Sequence, residues 1–162
     1  MQWGVTPGSQ AEQVGRLFLA GMVVVFLPQL PFGNYLIYPF TILTTWFHEM
    51  GHGLTGLALG HGFERLVILP SGSGFAETRY IGEPSSLSLA LVSAGGPLGP
   101  SMVGSVLILA SARRRYWRPA LYALAGLIGL STVLWIRGGV GLVTLPLIGM
   151  ALAFIAVKAS AG

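Results

Sequence analysis

Residues 35–59 read YLIYPFTILTTWFHEMGHGLTGLAL, a largely apolar run that carries two histidines and one glutamate. The run is long enough to cross the roughly 30 Å of hydrocarbon in a bilayer, which takes about 20 residues of helix. Positions i and i+4 of a helix lie on the same face one turn apart, so His48 and His52 share a face. The stretch therefore predicts a membrane helix, at about residues 35–60, with a polar site inside it.

The composition of the whole chain also indicates a membrane protein. Of its 162 residues, 53% are hydrophobic and only 9% are charged, whereas a soluble domain carries about 25% charged residues. Because so few charges cannot cover a water-facing surface, we expect a lipid bilayer to cover much of it. The net charge of +4 does not indicate nucleic acid, because the basic residues form no patch interleaved with aromatic side chains.

Hydropathy along the whole chain predicts about five transmembrane helices in one transmembrane domain, residues 1–162. The other spans fall at about residues 14–30, at about 87–110 and within 120–157, where Arg137-Gly138-Gly139 breaks a run too long for one crossing. The first residues lack a basic n-region and no clear cleavage site follows, so we expect no removable signal peptide.

A polar segment, residues 63–84, separates the second span from the third. Residues 65–69 and 75–80 are short β-like runs on either side of Pro70-Ser71-Gly72-Ser73-Gly74. Small, turn-forming residues between two such runs predict a hairpin, with an irregular surface loop as the alternative. The expected fold class is an all-α integral membrane protein with a small β-hairpin between its second and third helices.

The basic residues predict an orientation. Arg113, Arg114, Arg115 and Arg118 lie together between two apolar runs, as in a cytoplasmic loop under the positive-inside rule. This orientation places Lys158 in the cytoplasm as well and turns the polar segment outward. Four other arginines count against it, because each would then lie outside: Arg16, Arg65, Arg79 and Arg137.

The polar residues of the second span form an HExxH motif, His48-Glu49-Met50-Gly51-His52. Two histidines at this spacing can bind one tetrahedral zinc ion. Zinc lowers the pKa of a bound water to about 7, and Glu49 is placed to take the proton of that water, which is the chemistry of metal-assisted peptide hydrolysis. Thr45 and Thr55 lie on the same helical face as the two histidines and extend it into a polar stripe. The alternative is that this polar cluster only locks helix packing.

The sequence leaves the third zinc ligand unknown, although catalytic zinc sites usually have three protein ligands. The metzincin spacing would require a histidine at position 58, where the chain has Ala58. His61 lies between two glycines, where it is better placed to end the helix than to reach the metal. Further candidates are the glutamates of the polar segment: Glu64, Glu77 and Glu83. The chain has neither Cys nor Asp.

These residues resemble the site-2 protease (M50) family of intramembrane zinc metallopeptidases, especially its short M50-like branch. The resemblance extends over about residues 40–157 and rests on four stretches in a fixed order. They are residues 47–53 (FHEMGHG), 70–74 (PSGSG), 94–100 (AGGPLGP) and 134–137 (LWIR).

The resemblance implies a zinc ion held by His48 and His52, with Glu49 as general base. It implies a metalloprotease that cuts membrane-protein substrates within or next to their spans, after the polar segment captures the unwound substrate by strand addition. Residues 95–100 would let a helix approach the metal helix closely, which Gly95-x-x-x-Gly99 also indicates.

One feature departs from the family pattern. The family takes its third ligand from an Asp in a Leu-Asp-Gly motif, where this chain has Trp135-Ile136-Arg137-Gly138-Gly139. A ligand from elsewhere, a two-histidine site completed by water, and loss of zinc all stay open. From the HExxH motif and the resemblance together, we expect an intramembrane zinc metalloprotease of the bacterial inner membrane. The alternative is a proteolytically inactive scaffold or accessory subunit that binds a partner in a membrane complex.

Overall fold

The computed structural model describes residues 8–158 of the chain. Within that range the element order is α1 (Gln10–Phe26), α2 (Gly33–Ala58), β1 (Gly62–Ile68), β2 (Gly74–Arg79), α3 (Ser86–Ser111), α4 (Arg114–Leu134), β3 (Ile136–Arg137) and α5 (Gly139–Lys158). The predicted fold class, a mostly helical membrane protein with a hairpin between the second and third helices, is confirmed. The chain divides into two compact units, residues 1–38 and 39–162, which are described separately.

The first unit contains α1, a short 3-10 turn and the start of α2. Ser9 caps α1, because its hydroxyl accepts a hydrogen bond from the N–H of Glu12 at 3.2 Å. The 3-10 turn, Leu27–Gln29, contains a proline and follows directly after α1. A Cβ atom on Gly33 would lie 1.7 Å from the carbonyl oxygen of Leu27, so the chain can enter α2 here only with glycine. No residue of α1 is buried, as expected of a helix that faces lipid.

Among residues 8–158, four helical stretches are long and apolar enough to cross a membrane: residues 10–29, 86–111, 115–134 and 139–158. α2 has the length, at 26 residues, but its polar residues around the HExxH motif lower its hydropathy. The five predicted spans thus correspond to five helices, four of which qualify by composition. α4 begins at Arg114 rather than near residue 120, so the arginine cluster continues into a helix instead of forming a loop. Arginine favours helix, which accounts for the difference.

In the second unit, α2 is joined to α4 by a buried hydrogen bond. The indole N–H of Trp46 donates to the hydroxyl of Ser131 at 2.9 Å, and that hydroxyl donates to the carbonyl of Ile128 at 3.0 Å. Ile128 is fully buried and packs against Gly149 of α5, where a Cβ atom would lie 3.4 Å from the Ile128 side chain. These contacts link α2, which carries the HExxH motif, to α4 and α5.

The three strands form one sheet in the order β2-β1-β3, with β2 antiparallel and β3 parallel to β1. The predicted hairpin is confirmed, and the irregular loop is ruled out. The predicted break between α4 and α5 is present, but it contains a strand that the sequence did not predict, in which Ile136 pairs with Leu66. One face of the sheet is apolar and buried, through Phe63, Leu66, Ile68 and Ile136. α5 packs on this face, since a Cβ atom on Gly141 would lie 2.8 Å from the Ile136 side chain.

Candidate metal centre

α2 brings His48 and His52 together on one face. Their Nε2 atoms are 3.1 Å apart, and the two rings are nearly perpendicular, at 83°. Two nitrogens that bind one tetrahedral zinc ion at the usual bond length are about 3.3 Å apart. Both residues are only partly buried. The pair therefore fits a shared zinc ion in donor type and in separation.

A backbone carbonyl of α3 orients the ring of His52. The Nδ1 atom of His52 lies 2.7 Å from the carbonyl oxygen of Val92. Because a carbonyl oxygen only accepts hydrogen bonds, Nδ1 carries the proton and Nε2 keeps its lone pair. Metal-binding histidines commonly make this hydrogen bond, which fixes both the tautomer and the ring orientation. His52 thus already has the tautomer that a metal ligand requires.

Glu49 follows His48 in the chain and is buried, with 8% of its surface exposed. Together with His52 it lines a cleft of about 450 Å³. The other walls of the cleft are β2 and the Val92–Ser93 turn of α3. Gly74 of β2 packs closely against α2 and β1, since a Cβ atom there would lie 2.8 Å from the methyl group of Thr45 and 2.8 Å from the carbonyl oxygen of Val67. A carboxylate beside two imidazoles in a cleft is positioned to exchange a proton with water or with a bound peptide.

Glycines allow α2 and α3 to approach each other closely at the site. A Cβ atom on Gly51 would lie 2.2 Å from the carbonyl oxygen of Gly95, and one on Gly99 would lie 2.7 Å from that of Phe47. The close approach predicted from Gly95-x-x-x-Gly99 is therefore present. Gly96 has a more specific task, because a Cβ atom there would lie 2.1 Å from Nε2 of His52. The missing side chain of Gly96 provides the space that the imidazole occupies.

The model of the Peptidase M50B-like family matches residues 17–162. The chain belongs to this family. Comparison with curated proteins and with solved structures gives no match. M50 peptidases are in general zinc metallopeptidases. The apolar helices and the family together indicate that this M50B-like chain is an integral membrane protein.

Within the part of the chain that the structure describes, no third ligand of the kind expected for an M50B-like zinc site lies with His48 and His52. Among residues 8–158, no group of three or more His, Glu, Asp or Cys side chains is arranged to hold a metal ion. His61 is engaged elsewhere: its Nδ1 accepts from the N–H of Ile81 at 3.4 Å, and its Nε2 lies 2.7 Å from the hydroxyl of Ser88. Of the glutamates in the polar segment, Glu64 pairs with Arg79 at 2.9 Å.

The remaining candidates for that ligand are also placed in other roles. Glu77 forms an ion pair with Arg65 on the exposed side of the sheet, and Glu83 lies exposed in the connection from β2 to α3. In the region that would correspond to the Asp motif, Trp135 stacks on Phe63, with ring centroids 4.8 Å apart. This M50B-like chain therefore uses that region to build its sheet.

Several residues of the site were not predicted from the sequence. Val92 contributes only a carbonyl oxygen, which no side-chain pattern could reveal. Tyr80 and Ser93 line the cleft, but neither belongs to a motif that the sequence singles out. Thr45 was predicted to lie on the polar stripe, and its hydroxyl donates to the carbonyl of Gly72 at 2.6 Å, which ties the β1–β2 turn to α2.

Proposed function

We propose that this protein is an intramembrane zinc metalloprotease of the bacterial inner membrane that cleaves membrane-protein substrates. The observation that carries the proposal is the His48–His52 pair, whose Nε2 atoms are 3.1 Å apart, with Glu49 buried in the cleft that His52 also lines. Such a buried acid and two partly buried imidazoles are costly inside an apolar bundle unless they serve a function. Membership of the Peptidase M50B-like family supports the same conclusion.

Each residue of the motif has a distinct role in this proposal. His48 and His52 would hold the zinc ion through their Nε2 atoms, and Nδ1 of His52 is fixed by Val92. When bound, zinc acts as a Lewis acid toward water and the peptide carbonyl. Glu49 accepts the proton of the attacking water and then delivers it to the leaving amine. General-base catalysis of this kind contributes about 10²–10⁴-fold to the rate.

The substrate would enter as an extended segment beside β2. Among the described residues β2 is an edge strand of the sheet, and its residues line the cleft that contains Glu49 and His52. Non-helical backbone at membrane depth is tolerated only where it is buried in protein or lines a water-filled cavity. A cleft of this kind can hold both the water required for hydrolysis and an unwound peptide, which pairs with the edge by strand addition.

The alternative function is a proteolytically inactive scaffold or accessory subunit of a membrane complex. It is favoured by one observation: the chain has no Asp, and the region of the Asp motif forms β3. In a scaffold Glu49 has no chemical task, whereas a protease requires it. The two functions therefore differ in their sensitivity to a change at this one residue.

Substitution Glu49→Gln separates the two functions. It keeps the size of the side chain and removes the base, so a protease should lose at least about 10²–10⁴-fold in turnover. Uncleaved membrane substrates should then accumulate, which quantitative mass spectrometry of membranes can measure in wild-type, Glu49→Gln and deletion strains. Glu64→Gln is the matched control, because it makes the same chemical change on the exposed side of the sheet.

The strains are compared at equal protein levels, because a buried substitution can lower abundance and imitate lost activity. Zinc content of the purified variants is measured in parallel and should stay near that of the wild type. If the Glu49→Gln strain matches wild type while the deletion strain does not, the protein is a scaffold.

A further inference from the structure

We infer that Ala76 of β2 sets the register in which an extended substrate lies across the His48–His52 pair. The inference rests on the proposed function and adds to it the residue that aligns the substrate. Three features of the sheet support it: which backbone groups of β2 are free, the level at which β2 passes the histidines, and the face on which its small side chains lie.

The hydrogen bonds of β1 identify the free groups. The N–H of Leu66 donates to the carbonyl of Trp135 at 2.8 Å, so Leu66 directs its backbone groups toward β3. The N–H of Leu69 donates to the carbonyl of Ser73 at 2.8 Å, so the odd-numbered residues of this part of β1 face β2. Residues of a strand alternate in this respect. Ala76, which is opposite Leu66, therefore points its N–H and C=O away from β1.

Two contacts fix the level of β2 relative to α2. Near one end, a Cβ atom on Gly74 would lie 2.8 Å from the methyl group of Thr45 and 3.4 Å from Glu49 Cγ. Near the other end, a Cβ atom on Gly56 would lie 2.9 Å from the methyl group of Thr78. The helix rises about 10 Å between residues 49 and 56, and the strand advances about 13 Å between residues 74 and 78. β2 thus runs alongside α2, and its midpoint, Ala76, passes at the level of His52.

The side chain of Ala76 lies on the same face of the sheet as that of Leu66, because directly opposed residues share a face. Leu66 is fully buried on the helix-facing side, so Ala76 also faces the helices and lines the cleft. A peptide residue paired with Ala76 would direct its side chain into the cleft toward Val92 and Ser93. The peptide bonds on either side of that residue then lie nearest to the histidines.

This geometry identifies the scissile bond as one that flanks the residue opposite Ala76. The free N–H and C=O of Ala76 would exchange two hydrogen bonds with that residue, as in any hydrogen-bonded antiparallel pair. Its small methyl side chain leaves the cleft open beside His52. Glu49 lies about one helical turn before His52. On the strand side it lies next to Gly74, which is two residues before Ala76 in β2.

The first test is Ala76→Pro in the purified full-length protein. Proline removes the free N–H but no bond of the β1–β2 ladder, because the N–H of Ala76 points away from β1, and proline is tolerated at such edge positions. The probe is a synthetic single-span peptide with a photo-crosslinker, whose apolar segment contains glycines so that it can unwind. Binding is measured by crosslinking in Glu49→Gln protein, with and without Ala76→Pro. Cleavage is measured in protein that carries Ala76→Pro alone and is compared with wild type. We expect Ala76→Pro to lower both by about tenfold or more.

Zinc content should not change, which separates a positioning role from damage to the metal site. Ala76→Ser keeps the N–H and separates loss of the hydrogen bond from change of the side chain. A second experiment leaves the protein unaltered: each residue of the probe is N-methylated in turn. Every other N-methyl group should weaken crosslinking, with the largest loss next to the bond that mass spectrometry identifies as cleaved.

Two results would overturn the inference. One is Ala76→Pro protein that binds the peptide as well as its parent and cleaves it at the same bond. The other is an N-methyl scan without the two-residue period. If instead wild type cleaves the probe no faster than Glu49→Gln does, the proposed protease function fails, and crosslinking of the same peptide still tests the role of Ala76.

Discussion

Substitution Gly96→Ala should abolish zinc binding at the proposed His48–His52 site while leaving the fold in place. A Cβ atom at this position would lie 2.1 Å from Nε2 of His52, whereas carbon atoms in contact are about 3.5 Å apart. The imidazole must therefore retreat by more than about 1 Å, and zinc ligands tolerate a displacement of only about 0.2 Å. Loss of an outer-shell contact alone costs about 10–100-fold in metal affinity, so we expect at least about a 100-fold loss here.

The fold should survive, because the atom that must move is the end of a side chain, and alanine is a better helix former than glycine by about 0.8–1.0 kcal/mol. Gly104→Ala is the matched control: Gly104 lies in the same helix, and a Cβ atom there meets nothing within 4 Å. The assay is zinc affinity of the purified proteins by competition with a chelator, together with their thermal unfolding. Zinc bound as tightly by Gly96→Ala as by Gly104→Ala would show that the space beside Gly96 does not determine zinc binding.

Two further predictions concern the metal and the orientation. Purified protein should carry about one zinc ion per chain, which His48→Ala or His52→Ala should abolish; stoichiometric zinc in the double variant would contradict the site as described. Arg118 donates to the carbonyl of Ala156 at 3.1 Å, so the arginine cluster and the end of α5 lie on the same side of the membrane, which we expect to be the cytoplasm. Because the chain has no Cys, single cysteines can be introduced at Ala112 and at Ser73. In intact cells the cysteine at position 112 should resist an impermeant maleimide, and the one at position 73 should react. The reverse pattern would invert the orientation.

The sequence predicted most of the fold because membrane helices and turns leave strong local signals. Apolar runs of sufficient length identified the five α-helices of residues 8–158, and the turn residues 70–74 correctly predicted the hairpin. The third strand was missed because it has only two residues, Ile136–Arg137. Its pairing with Leu66 depends on how α4 and α5 pack, and no local pattern records that.

The candidate site was predictable to the extent that it is local in sequence. His48, Glu49 and His52 lie within a single helical turn, so their common face followed from helix geometry, although their roles stay predictions. The contribution of Val92 depends on where α3 crosses α2, and it is made by a backbone atom. Gly96 was noticed only as part of a packing motif, because the position of the imidazole is set by tertiary contacts.

The pairing of β1 with β3 has a consequence for the order in which the protein is assembled. It joins Leu66 to Ile136, two residues that are far apart in the chain, so the sheet is complete only after the ribosome has made α4 and the strand that follows it. Contacts of such long range form late, and synthesis proceeds from the N-terminus. A nascent chain that already carries the HExxH helix therefore still lacks one strand of the sheet beside the cleft. Until Ile136 has been made, the edge of β1 that later pairs with β3 therefore stays unpaired in the sheet.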